Sequence, residues 1–180
     1  MNKRVTQAVI LAGGLGTRLK PFTNTAPKPM YPINNIPFID YLIRQMKSFG
    51  MEEALLLLGY LPKKIMDYLG DGSRYGLTIN YDITPVDYDT GMRIKHAAPQ
   101  IADKFLLLYC DNYCPINYSK LFADFCNNKA KIQITAYSNR DNYTKSNLHI
   151  TDDGLITTYD KKRIIPNLQG VDIGYALVDK

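Results

Sequence analysis

The chain has 180 residues, 46% of them hydrophobic and 22% charged, the profile of one ordinary globular domain and not of a disordered or collagen-like chain. Its 22 Lys and Arg against 17 Asp and Glu leave a formal charge of +5, which suits an anionic ligand and is modest for a dedicated nucleic-acid binder. No apolar run approaches the roughly 18 residues of a membrane-spanning helix; the longest aliphatic clusters are Ala54–Leu58 and Phe105–Leu108.

Val5–Ala12 reads as a buried strand ending in the turn signal Gly13–Gly14–Leu15–Gly16. Pro21, Pro27, Pro29, Pro32 and Pro37 predict a long irregular loop over Lys20–Pro37, not a helix; a loop of that length is usually functional. Phe38, Leu42, Met46 and Phe49 recur at helical spacing, so Phe38–Phe49 is a helix stopped by Gly50. Ala54–Leu58 is a second buried strand. Pro62–Leu69 is a short helix with proline at its start. Leu77–Ile83 alternates as a third strand, and Thr90–Ala98 is helical up to Pro99. Phe105–Tyr109 is a fourth buried strand, leading to Asp111. Tyr118–Asn128 is a helix and Ile132–Tyr137 a strand. Leu148–Ile150, Ile156–Tyr159 and Ile173–Val178 are short strands, with Asp153–Gly154 turning between the first two. This alternation predicts an α/β fold: a mostly parallel sheet, helices on both faces, and a small antiparallel tail. Ligands of such sheets bind at the carboxyl ends of strands, where Gly13–Arg18 and Asp111 both lie.

Three glycines in Gly13–Gly14–Leu15–Gly16–Thr17–Arg18 let the main chain approach a ligand and aim several N–H groups at it. Arg18 adds a planar fork of donors suited to phosphate oxygens. The loop is not a Walker loop, because no Gly-Lys pair occurs. Nor is it a dinucleotide fingerprint: Leu19 stands where the third glycine belongs, and Pro21 spoils the helix that should open there. The alternative is a plain glycine turn. Pro27 and Pro29 stiffen the loop around Lys28, which is either an anion-binding cation or a solvated surface lysine. Cys110, Cys114 and Cys126 have no zinc spacing. With no secretion signal, they are expected to be reduced packing residues of a cytoplasmic protein.

Leu11–Leu19 (LAGGLGTRL) followed by Pro27-Lys28-Pro29-Met30 resembles the signature of the sugar-1-phosphate nucleotidyltransferases. The resemblance continues through Gly59-Tyr60, Tyr68–Gly76 and Tyr109-Cys110-Asp111. It implies a Rossmann-like three-layer sandwich, and a reaction in which a sugar 1-phosphate attacks the α-phosphorus of a nucleoside triphosphate and pyrophosphate leaves. By position, the backbone of Leu11, Ala12, Gly13 and Gly14 would hold base and ribose, with Gly16, Thr17 and Pro85 also on the nucleotide side. Arg18 would grip the triphosphate and the leaving pyrophosphate. Lys28 would contact the phosphoryl group under attack. Asp111 would bind Mg²⁺, a carboxylate being suited to that oxygen-seeking ion; its alternative role is to cap a turn. Tyr159-Asp160-Lys161-Lys162 resembles the family's Glu-Lys-Pro segment, so Lys161 would bind the acceptor phosphate and Asp160 a sugar hydroxyl. The run Lys161-Lys162-Arg163 reads equally as a solvated hairpin edge. Asp172 is either a sugar contact or part of an internal ion pair.

Tyr88-Asp89-Thr90-Gly91-Met92-Arg93 stands where many relatives carry Leu-Gly-Thr-Ala-Gly. Thr90 and Gly91 remain usable for a base edge, and the pattern leans towards the cytidylyltransferases, with guanylyltransferases matching comparably elsewhere. CTP or GTP is therefore expected, with a sugar 1-phosphate as partner, and neither nucleic acid nor membrane. The relatives' habit implies a homo-oligomer. Residues 1–180 are expected to form a single nucleotidyltransferase domain that stops before the family's later Asp-x-Gly metal segment. This leaves a second function class open, a regulatory or scaffold module that binds nucleotide without turnover. An RNA-binding role is set aside because the 14 tyrosines are scattered, not interleaved with basic residues.

Overall fold

The computed structural model describes residues 4–128 and 130–180. The first strand, β1 (Gln7–Ala12), is buried along its whole length, as an unbroken apolar run requires of a strand covered on both faces. The proline-rich stretch after it is irregular but not structureless. It holds three single 3₁₀ turns, Thr17–Leu19, Phe22–Asn24 and Lys28–Met30. It also holds a miniature hairpin of β2 (Pro32–Ile33) and β3 (Ile36–Pro37). Asn34 and Asn35, at φ 50° and 64°, form its two-residue turn. Asparagine tolerates the left-handed region that a twist-matched hairpin turn requires, a signal that the surrounding prolines mask.

α1 (Phe38–Ser48) buries Ile39, Leu42, Ile43 and Met46 and leaves Arg44 and Lys47 exposed. It ends in a Schellman turn: Gly50 N donates to Lys47 O and Met51 N to Met46 O, with Gly50 at φ 81°. Next come β4 (Glu53–Leu58), α2 (Pro62–Leu69), β5 (Thr78–Ile83), α3 (Thr90–Ala97), β6 (Lys104–Tyr109), α4 (Tyr118–Asn127) and β7 (Ile132–Tyr137), all close to their expected bounds. β8 (Leu148–Ile150), β9 (Ile156–Tyr159) and β10 (Val171–Asp179) complete the chain.

The main sheet has the order β5-β4-β1-β6-β10-β7. β5, β4, β1 and β6 run parallel, and β10 runs antiparallel to both β6 and β7. The antiparallel tail therefore divides. β8 and β9 pair as a separate hairpin, while β10 returns into the main sheet. Alternation marks a strand but not its partner, which is why the sequence does not place β10. Its pairing with β7 is irregular between Asp172 and Ala176, where Gly174 has φ 80°. Such a bulge re-aims the side chains beside it.

Alternate residues of the parallel strands face opposite ways. Ile10, Leu56, Leu58, Leu106 and Leu108 pack under α1, α2 and α4. Val9, Leu11, Leu55, Leu57 and Phe105 pack against Ala97 and Ile94 of α3. This is a Rossmann-like three-layer sandwich. Each fully buried aliphatic side chain contributes about 1.5–3 kcal/mol, which fixes the strand register and with it the strand ends. From β1 the chain winds outward to β4 and β5, then crosses back to β6 on the other side of β1. The strand order thus reverses between β1 and β6, the position at which doubly wound sheets open a ligand crevice.

Candidate active site

A cavity of about 350 Å³ lies at that reversal, formed by the loop after β1, the end of β6 and the segment from β5 into α3. Leu11, Ala12, Gly13, Gly14, Gly16 and Arg18 line it from the β1 side. Gly16 has φ 62°, and a Cβ there would sit 2.9 Å from the Cβ of Lys28, so only glycine lets this loop fold down onto the Lys28 turn. The Thr23 hydroxyl donates to Gly16 O at 3.1 Å, and the Tyr60 hydroxyl donates to Thr23 O at 2.8 Å. Among the described residues, the amides of Gly14, Leu15 and Gly16 donate to no backbone carbonyl. They form the kind of open main-chain concavity that accepts anions.

Two cations and a carboxylate join them. Arg18 is exposed on its 3₁₀ turn. Lys28 follows the extended Pro27, and its Nζ lies 2.8 Å from Asp111 Oδ2. Asp111 comes directly after β6 and Cys110, whose amide donates to Leu11 O at 3.2 Å. The Cys110 thiol is buried, and burial pushes its pKa up to about 12, so it packs as a thiol without nucleophilic character. Among the described residues, no group of three or more His, Cys, Asp or Glu side chains gathers as a metal cage.

The opposite wall consists of Val86, Tyr88, Asp89 and Thr90. Asp89 caps α3 by accepting from Met92 N at 2.8 Å. Of the residues assigned to the nucleotide from the sequence, Thr17, Pro85 and Gly91 lie beside this cavity's lining, not in it. Sequence reasoning missed Tyr109 and Arg93, which do line it. For Arg93 a signal exists: it stands four residues before the buried Ala97 on α3, on a helix face where a charge needs a reason.

A second cavity, of about 260 Å³, adjoins the first and shares Tyr109, Asp111 and Lys161 with it. Asn112, Asn147, Tyr159, Arg163 and Asp172 also line it. Asp172 is turned inward: Oδ2 accepts from the Tyr159 hydroxyl at 2.9 Å and Oδ1 from Gly174 N at 2.7 Å. Burial, with the bond to Asp172, pushes the Tyr159 hydroxyl up to about 12, so it is a neutral donor at neutral pH. Asp160 is not brought to either cavity. Its carboxylate accepts from the amides of Lys162, Ile164 and Ile165 at 2.9, 2.6 and 2.8 Å. These bonds, the one from Ile165 foremost, hold its pKa below the usual carboxylate range. Asp160 shapes the loop that presents Lys161.

A glycine loop with two cations, where the strand order of an α/β sheet reverses, has the charge and donors that suit a polyanion. The family described as nucleotidyl transferase matches residues 7–164. The chain belongs to that family. Among its nucleotidyl transferase relatives is the D-glycero-alpha-D-manno-heptose 1-phosphate guanylyltransferase of Campylobacter jejuni, 31% identical over 156 residues, which cover 87% of this chain and 68% of the relative. The probable glucose-1-phosphate cytidylyltransferase of Bacillus subtilis is 30% identical over 177 residues and is covered to 68% of its length. The solved structure of HddC from Yersinia pseudotuberculosis complexed with GMP-PN superposes with a TM-score of 0.79 at 28% identity, covering 97% of this chain and 77% of that one. A putative glucose-1-phosphate thymidylyltransferase from Bacillus anthracis shares the fold, with a TM-score of 0.85 at 20% identity over 96% of this chain and 71% of that one. Among the described residues of this nucleotidyl transferase, no helix is long and apolar enough to cross a membrane.

Proposed function

We propose that this chain joins a nucleoside triphosphate to a sugar 1-phosphate, giving a nucleotide-diphosphate sugar and pyrophosphate. One observation carries the reading. Gly13, Gly14 and Gly16 of the loop after β1 line one cavity together with Arg18, Lys28 and Asp111, and a second polar cavity shares Tyr109, Asp111 and Lys161 with it. The names of the relatives support the same chemistry and favour GTP or CTP as donor and a hexose or heptose 1-phosphate as acceptor.

An oxygen of the acceptor phosphate forms a bond to the α-phosphorus while the bond to the β-phosphate oxygen breaks, and its electron pair leaves on pyrophosphate. The attacking oxygen is already anionic, so no base is needed. The protein has to align two anions and offset the charge that builds between them. In this reading, the main chain from Leu11 to Gly14 holds the nucleoside, with Thr90 on the facing wall. Arg18 grips the departing pyrophosphate with its planar fork, and Lys28 meets the phosphoryl group under attack. Lys161 holds the acceptor phosphate, and Asp172 with Tyr159 bounds the sugar.

The donor set also fits Mg²⁺. Asp111 Oδ2 faces Lys28, and the other carboxylate oxygen would hold the ion. Mg²⁺ is commonly held by one or two carboxylates and substrate phosphates. When bound, it supplies neutralisation of phosphate charge.

The test is a pyrophosphate-release screen of GTP, CTP, UTP and dTTP against a panel of sugar 1-phosphates with Mg²⁺. Release with one matched pair is the expected result. Tight triphosphate binding with no release from any pair would leave a nucleotide-binding module in place of a transferase.

A further inference from the structure

Arg93 lines the first cavity, and the proposed chemistry does not use it. It is 4% exposed, on the face of α3 that packs against the sheet. Nη1 donates to Leu58 O at 2.9 Å and to the Thr84 hydroxyl oxygen. Nη2 donates to Gly13 O at 3.3 Å, Pro85 O at 3.0 Å and Val86 O at 3.1 Å. One guanidinium thus holds three chain segments: the exit of β1, the end of β4 and the exit of β5. All five acceptors are neutral. Buried charges are ordinarily paired, but none of the ion pairs among the described residues includes Arg93.

Two glycines border this side chain. Gly13 and Gly59 are absent from the positive-φ residues, so backbone conformation does not require glycine at either. A Cβ on Gly13 would overlap the guanidinium. A Cβ on Gly59 would stand 2.6 Å from Gly13 O and 2.8 Å from both Nη atoms. The space at Gly13 is kept for the arginine fork, and at Gly59 the Gly13 carbonyl and the fork together bar a side chain. Gly13 is also the first residue of the loop that presents the open amides, and Val86 begins the facing wall.

We propose that Arg93 is the positioning residue of the nucleotide site: it pins Gly13 O to the exit of β5 and so fixes the amide loop and the Val86–Thr90 wall at one separation. The inference rests on the proposed function, because the ligand whose fit it sets is the nucleoside triphosphate. Arg93 acts through the Gly13 carbonyl and takes no part in phosphoryl transfer. The clamp lowers the cost of ordering the loop on binding. Its loss falls on the nucleotide and spares the acceptor, which is bounded by Asn112, Asn147, Tyr159 and Asp172 in the second cavity.

The test measures triphosphate affinity by calorimetry and both KM values by pyrophosphate release, for Arg93→Met, Arg93→Lys and Gly59→Ala. Arg93→Met is expected to weaken nucleotide affinity by about tenfold or more and to raise the nucleotide KM in step, with the acceptor KM unchanged within about twofold. Arg93→Lys keeps the charge and loses the fork, so it should fall between wild type and Arg93→Met. Gly59→Ala disturbs the clamp from outside the cavity, and serves if Arg93→Met does not fold. Nucleotide affinity within about twofold of wild type in a folded Arg93→Met, full affinity in Arg93→Lys, or equal rises in both KM values would overturn the inference and leave the proposed function standing. A wild-type chain that binds no triphosphate would overturn both.

Discussion

Lys28 Nζ lies 2.8 Å from Asp111 Oδ2, joining the proline-braced turn before β2 to the end of β6. Both side chains keep contact with solvent, at 31% and 40% relative exposure. An ion pair that exposed contributes at most about 1 kcal/mol to stability, so the pair is poorly explained as a staple for the fold. Both partners line the first cavity and Asp111 also lines the second, which suits the proposed reaction, in which each partner would hold the other in place for the phosphates.

The expected consequence is a separation of activity from stability. Lys28→Ala and Asp111→Asn should each lower turnover by about 10²–10³-fold, the scale of removing one charge-stabilising group. Thermal unfolding should move by only a few degrees. Pyrophosphate release and a melting curve on the same preparations decide the matter. Activity losses that merely track lost folded fraction would make the pair structural.

Arg18 is exposed and lines the cavity. Arg18→Ala should therefore change unfolding free energy by no more than about 0.5 kcal/mol while turnover falls sharply. Arg18→Lys should recover only part of the loss, because an ammonium does not reproduce a bidentate grip on phosphate. Inorganic pyrophosphate, as a product inhibitor, should bind more weakly to both variants. Unchanged pyrophosphate inhibition in Arg18→Ala would remove this residue from the leaving-group end.

The three loop glycines separate in the same way. Gly16 has φ 62° and stands against Lys28, so Gly16→Ala should cost about 1–2 kcal/mol of stability. A Cβ on Gly14 would meet no atom within 4 Å, and Gly14→Ala should leave the melting temperature unchanged. If the amides beside it receive phosphate, the added methyl should nevertheless weaken triphosphate binding, as calorimetry would show. Unaltered binding would place the ligand elsewhere.

Much of this site is legible in the sequence because its parts are local. The glycine loop with Arg18, and Asp111, sit at strand ends that apolar runs mark plainly, and burial on both faces leaves those strands little freedom of register; Lys28 is marked instead by the prolines on either side of it. What the sequence hides is long-range. Nothing local tells β10 to lie between β6 and β7, since a nine-residue alternating run fits any open edge. Asp160 reads as a ligand-facing acid, but the loop amides of Lys162, Ile164 and Ile165 claim its carboxylate. Arg93 reads as a polar helix residue until the ends of β1, β4 and β5 are brought around it. Gly13 reads as part of a turn, although the Arg93 guanidinium also fills the space a side chain there would need.

Asp40 carries a prediction of a different kind, remote from the cavities. It is 3% exposed on α1. Oδ1 accepts from the hydroxyls of Tyr75 at 2.7 Å and Tyr68 at 3.1 Å, and Oδ2 accepts from Arg44 Nε at 2.5 Å. Burial alone would raise its pKa, but these bonds, led by Tyr75, outweigh burial and hold it below the usual carboxylate range. The unfolded chain, with an aspartate near pH 3.9, therefore binds this proton more readily than the folded one. The stabilisation is complete above about pH 3.9 and disappears as the pH drops through the lower folded value. Tyr75→Phe should cost about 1.5–3 kcal/mol near pH 7, as loss of a hydrogen bond to a charged group, and the gap to wild type should narrow towards pH 3. Urea unfolding of both proteins at the two pH values tests this. A gap of constant size would mean that Tyr75 supports the helix by packing and not by solvating the Asp40 anion.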